Sequence, residues 1–186
     1  MPAVSLQSIV SMPVISRLKT FLHNRALARY PGTNLNMLPE NHFSSIKSVG
    51  ILFEAMDAKD REVVLGYAEL LKKMGMDVWP FGFFNSKIKD ITFPFDFIDL
   101  NNITFAFLPE GEKISKFIAT PFDVLINLDT SSHRPLNYIA AASKALFKIG
   151  PAHGNHTHYD LMIEMHEKDL ARYIQDIRTT FNKIQG

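Results

Sequence analysis

Two apolar runs limit the fold of this chain more than any other feature. Val49-Gly50-Ile51-Leu52-Phe53 and Phe122-Asp123-Val124-Leu125-Ile126-Asn127-Leu128-Asp129 are of strand length and nearly continuous in hydrophobicity. A strand with one wet face alternates, whereas a continuous run needs cover on both faces, as in a parallel sheet flanked by helices. The first run, taken over residues 46–54, leads into a helical pattern over residues 58–74. Asp57 is its natural cap, Gly75 its stop, and Val63, Val64, Tyr67, Ala68, Leu71 and Met74 its buried stripe. Residues 76–81 read as a second strand. After the second run, Pro135 starts an Ala-rich helix containing Ala140, Ala141, Ala142 and Ala145. Short strands are expected over residues 147–150 and 159–164. A closing helix over residues 167–184 turns Leu170, Ile174, Ile177, Phe181 and Ile184 inward.

Residues 82–121 are the least regular part. Phe93, Phe95 and Phe97 alternate around Pro94, which cannot donate to a ladder, so an edge strand or extended loop is expected. Residues 103–107 suggest a short strand and 112–119 a short helix. Alternating strand and helix predicts a Rossmann-like α/β fold, a doubly wound and mostly parallel sheet, over residues 46–186. Residues 1–45 form a separate arm: a basic amphipathic helix over 13–29, then a linker. Its apolar stripe is Val14, Ile15, Leu18, Phe21 and Leu22.

Composition narrows the function classes. A chain of 186 residues, 46% hydrophobic, suits one domain with a real core and contains no run long enough to span a bilayer. Zero cysteines exclude a disulfide scaffold, thiol catalysis and thiolate metal sites. A net charge of +1 gives no global argument for nucleic acid as the main partner. That near-neutrality averages an asymmetry. Residues 1–50 carry Arg17, Lys19, Arg25, Arg29 and Lys47 against Glu40, a net +4, and the rest is therefore −3. No basic residue precedes Arg17 and no apolar stretch leads to a cleavage site, so a cytoplasmic location is the expectation. The basic helix can pack on the body with its bases in water, or dock on an acidic partner.

In open parallel sheets ligands bind beyond the carboxyl ends of the strands, where strand order reverses. The strongest strands end at Glu54 and Asp129, so the loops that follow are the prime candidates. Glu54-Ala55-Met56-Asp57-Ala58-Lys59-Asp60 lacks glycine and holds three carboxylates, which excludes a dinucleotide or P-loop cradle there. Asp57 and Asp60 read first as helix-start residues, Asp57 the cap. Asp129-Thr130-Ser131-Ser132-His133-Arg134-Pro135 offers hydroxyls, an imidazole and a guanidinium at a helix start. Either Ser131 or Ser132 merely caps that helix, or Ser131, Ser132, His133 and Arg134 face an anion while Glu54, Asp57 and Asp129 accept from hydroxyls or a cation. A third candidate is His153, His156 and His158, with Asp160 and His166 nearby, whose donors suit a divalent metal. The plainer reading is a polar loop with incidental histidines; no other cofactor is indicated. No G-x-S-x-G elbow supports nucleophilic catalysis. Ten of the 15 phenylalanines lie between Phe81 and Phe122, as core or as a patch for a protein partner or self-association.

Two resemblances attach to quoted segments. The run Phe122 to Leu128, with Tyr138-Ile139-Ala140-Ala141-Ala142-Ser143-Lys144-Ala145 and Phe147-Lys148-Ile149-Gly150, is similar to the first lobe of heptosyltransferase-type glycosyltransferases. Such enzymes need two lobes, the second holding most of the sugar nucleotide, and this chain has room for one. Over most of its length the chain resembles an uncharacterised family, a domain of unknown function, of small Bacteroidota proteins. That likeness rests on the basic helix, the Phe122 to Leu128 strand, Ser143-Lys144-Ala145 with Lys148-Ile149-Gly150, and Tyr159-Asp160-Leu161-Met162-Ile163. It implies no activity. The reading is thus a binding or interaction module with an anion or small-ligand crevice. The alternatives are an enzyme acting on a phosphorylated or nucleotide-linked small molecule, a metal-assisted hydrolase using the histidine loop, or an adapter using the basic helix and the Phe-rich segment.

Overall fold

The computed structural model describes residues 14–30, 46–152, 158–165 and 169–185. Helix α1 (Val14–Leu27) precedes β1 (Ser48–Glu54), α2 (Ala58–Lys73), β2 (Asp77–Phe83) and β3 (Asp96–Ile98). Then come α3 (Glu112–Ala119), β4 (Val124–Asn127), α4 (Arg134–Ala142), β5 (Phe147–Pro151), β6 (Leu161–Ile163) and α5 (Leu170–Gln185). The six strands make one sheet in the order β3-β2-β1-β4-β5-β6, and every pair is parallel. The Rossmann-like expectation holds. The two apolar runs become β1 and β4, the neighbours at which the strand order reverses, with Val49 opposite Val124 and Leu52 opposite Asn127.

Both faces of those strands are covered, which is why their sequences do not alternate. Val49, Ile51, Phe53, Val124 and Ile126 pack with Val64, Tyr67 and Leu71 of α2 and with Tyr173, Ile174 and Ile177 of α5. Leu52 and Leu125 face the other way, with Phe81 and Phe83, against Ile114 and Phe117 of α3 and Leu136, Ile139 and Ala140 of α4. Asp57 caps α2 by accepting from the N–H groups of Lys59 and Asp60, and Gly75 turns the chain out of it at φ +89°. Met74, placed in the buried stripe by periodicity, is 64% exposed because it sits at that C-terminus.

Two other expectations are corrected, and one is met. Residues 103–107 form no strand; a 3-10 turn at Leu100–Asn102, capped by Asp99, leads into a tight loop with Phe107 at φ +59°, and a single antiparallel bridge joins Ile103 to Pro109. The alternating Phe93–Phe97 segment is the expected edge element: it pairs over Asp96–Ile98 at the sheet edge and packs its rings against Phe84 and one another. Helix α1 packs on α4 through buried His23 and Ala26, whereas Leu18, Phe21 and Leu22 of the expected stripe are exposed. Val14 and Ile15 side chains, the linker, and the side chains of Phe181 and Ile184 lie outside the described residues. Among the described residues, no helix is long and apolar enough to cross a membrane.

Candidate functional site

At the carboxyl end of β1 stands Glu54, and two residues beyond β4 stands Asp129. Because β1 and β4 are neighbours, the two loops meet over the reversal point of the sheet. Asp129 is fully buried. Its carboxylate accepts from the backbone N–H of Ser131 at 3.0 Å, from that of His133, and lies 2.9 Å from His133 Nδ1. Ser132 sits at φ +57°, the left-handed turn that folds the loop back over the carboxylate. Facing that carboxylate, Nδ1 is placed to donate to it. The other ring nitrogen, Nε2, lies 3.4 Å from Glu54 Oε1, and the edge of the ring rests on Phe83, with centroids 5.3 Å apart. One donor atom from each of Glu54, Asp129 and His133 lies within 4.8 Å of the others, a geometry able to hold a metal ion.

A buried polar floor lies beneath. Asn127 Oδ1 accepts from the Asp129 N–H, and Asn127 Nδ2 donates to Tyr159 Oη at 2.6 Å. The Tyr159 hydroxyl in turn reaches Asn137 Oδ1 of α4 at 3.3 Å. Burial holds the Tyr159 phenol well above its ordinary range, opposed by the Asn127 hydrogen bond and reinforced by Asp129, so it stays a neutral donor. The ring presses so closely on β5 that a Cβ at Gly150 would fall 2.5 Å from it. Tyr173 of α5 also has its hydroxyl buried, with no hydrogen-bond partner among the described residues.

The sequence candidates divide accordingly. Glu54, Asp129 and His133 come together. Asp57 is occupied as the cap of α2. Ser131 and Ser132 are exposed, and neither caps α4: the N-cap residue is His133, its side chain makes no capping bond, and the preceding N–H groups go to Asp129. The cap reading of the two serines is therefore corrected: the chain enters α4 from a loop whose Ser131 and His133 N–H groups are held by the buried Asp129 carboxylate. Arg134 sets its guanidinium 4.8 Å over the Phe107 ring and within electrostatic reach of His23. Of the histidine loop, His153 and His156 lie outside the described residues, while His158 is buried with its ring 4.3 Å from that of Tyr159. The polar floor was missed. Its signal was present, since Asn127 and Asp129 interrupt the one strand whose other residues are all apolar at its carboxyl end.

An apolar pocket of about 140 Å³ lies at the opposite, amino ends of β1 and β4, between α2 and α5. Val49, Leu71, Val124 and Ile177 line it, with Arg178 at its rim. It carries little chemistry beyond that guanidinium and the Tyr67 phenol, which burial pushes up to about 12.

No curated protein and no solved structure matches the chain. A family described as of unknown function, DUF6913, matches residues 19–184, and the chain belongs to that family.

Proposed function

We propose that this protein is a binding module for a small ligand, seated over the ends of β1 and β4 and held by His133 and Glu54. The observation that carries the reading is the buried Asp129, which holds the His133 ring with Nε2 presented toward Glu54 at the reversal point. Two carboxylates and one imidazole favour a hydroxylated or cationic group on the ligand over a bare anion. Asp129 also places a buried carboxylate on the Ser131 and His133 N–H groups of the loop before α4, where an incoming anion would meet like charge.

The test is a thermal-shift screen of sugars, polyols, amines and phosphorylated small molecules, followed by amide-shift mapping. A ligand that stabilises the wild type and perturbs residues 54–56 and 129–134 is expected. Its effect should fall at least tenfold in Glu54→Gln and His133→Ala. Ligands that map instead to the pocket between α2 and α5, or ignore both substitutions, overturn the reading.

A second reading is favoured by the same pair. A carboxylate that fixes one imidazole nitrogen leaves the other as a general base, so the crevice is also suited to proton transfer. Turnover of a bound ligand that His133→Ala abolishes, with affinity kept, distinguishes an enzyme from a binding module.

A further inference from the structure

The pocket of about 140 Å³ at the amino ends of β1 and β4 has a simple chemistry. Val49, Val124, Ile126 and Ile149, from three adjacent strands, form its floor, and Leu71 of α2 and Ile177 of α5 its walls. Packed interiors leave few voids larger than a water molecule, so a hollow of this size inside the larger apolar cluster is an exception. Its size sets the guest. An apolar cavity of about 150 Å³ is known to stay dry and take up benzene, so this one suits an apolar body of about six carbons.

Two polar groups reach the pocket, and both are donors. Burial, opposed by the Arg178 charge, pushes the Tyr67 phenol up to about 12, so it keeps its proton at neutral pH. Arg178 keeps its charge at any such pH. Neither is committed elsewhere. Among the described residues Tyr67 makes no hydrogen bond and Arg178 no ion pair; the guanidinium reaches the neutral Gln175 amide at 3.5 Å, the outer limit of a hydrogen bond. No acidic side chain is among the described residues that line the pocket. Leu70 and Met74, which also line it, are exposed, so the mouth is apolar up to the guanidinium. Two donors and a single positive charge over an apolar hollow complement a monoanion with an apolar tail. A carboxylate matches both the planar guanidinium fork and its one charge, whereas a phosphate dianion carries one charge too many.

We propose that this pocket binds a small monocarboxylic acid. Its apolar body lies between α2 and α5, its carboxylate meets the Arg178 guanidinium, and the Tyr67 hydroxyl is the second donor. The site is at the opposite end of the sheet from the crevice, and the two stand or fall separately.

The experiment is amide-shift titration of the full chain with straight-chain carboxylates from propanoate to octanoate, with phenylacetate, and with hexanol as the uncharged control. Hexanoate and phenylacetate should saturate and perturb amides 67–76 and 174–178, sparing 54–56 and 129–134. Affinity should rise about fourfold per added methylene, the worth of one buried CH₂, and level off near hexanoate as the pocket fills. Hexanol should bind more weakly. Arg178→Gln, at an exposed position, should keep the fold, weaken hexanoate about fivefold and leave hexanol unchanged. Arg172→Gln, elsewhere on α5, should change neither. Equal binding of hexanoate and hexanol, or hexanoate affinity unaltered in Arg178→Gln, overturns the proposal. Affinity that climbs through octanoate without levelling off means adsorption on exposed apolar surface and overturns it too, as does the absence of any saturable shift. Shifts confined to 54–56 and 129–134 move the acid to the crevice and remove this site.

Discussion

Asp129 concentrates the local energetics of the site. A buried carboxylate is tolerated only where its oxygens are filled, and here two backbone N–H groups and an imidazole fill them. Asp129→Ala should therefore cost about 3 kcal/mol by orphaning those donors, read as the fall in unfolding free energy in urea. Tyr159→Phe removes one hydroxyl that serves both Asn127 and Asn137, and should cost about 1–3 kcal/mol in the same assay. Gly150→Ala should match it, because the added Cβ would meet the Tyr159 ring at 2.5 Å. A neutral result for Gly150→Ala would mean the ring can move without disturbing the floor. At this scale the sequence was half legible. Asp129 and Asn127 stood out as polar residues in an apolar strand. The approach of His133 to Glu54 did not, because it depends on two strands distant in sequence lying side by side.

Helix α1 shows where periodicity fails. Its leucines and Phe21 have the spacing of a core stripe, yet the helix docks by His23 and Ala26, two residues that a hydropathy pattern does not score as core. What decides is the surface offered to it: Lys19 lies over the Phe105 and Phe107 rings, and Tyr30 meets the edge of Tyr138. Phe21→Ser and Leu18→Ser should accordingly change the melting temperature little, while a bulky or charged residue at Ala26 should undock the helix. Burial, and then the charge of Arg134, lower the His23 pKa, with a hydrogen bond from the ring to the Ala106 backbone carbonyl opposing them. The docked helix thus prefers the neutral ring. Its docking should be fully present above the ordinary value of 6.5 and weaken as pH falls below it. Hydrogen exchange of amides 14–27 at pH 7.5 and 5.5 measures this, and His23→Leu should flatten the difference. Equal protection at both pH values would count against it. The same lesson applies to residues 103–107, whose apolar content suggested a strand but whose Asp99 cap and left-handed Phe107 bend the chain away from the sheet.

The architecture as a whole was the most legible level. Apolar runs of strand length that do not alternate suit strands covered on both faces, and both became central strands. Helix caps set boundaries well, as Asp57 and Gly75 did for α2. Strand order was not legible, since it is a property of crossovers and not of any local pattern. It matters most for function, because placing β1 beside β4 makes the crevice. The strands buried on both faces should carry the slowest-exchanging amides: protection is expected to peak in β1 and β4 and fall toward β3 and β6, by native-state hydrogen exchange.

The pairing of β1 with β4 has a temporal consequence. The β1–α2–β2 unit can form from neighbouring chain, but Glu54 gains its imidazole only after the long crossover through β3 and α3 has brought β4 home. Closing that loop carries an entropic cost before any contact across the seam offsets it. A partly folded chain therefore has a strand, a helix and a lone carboxylate, but no crevice. Ligand capture reports on completed folding, and a ligand bound across the seam holds shut the very junction on which the sheet closes.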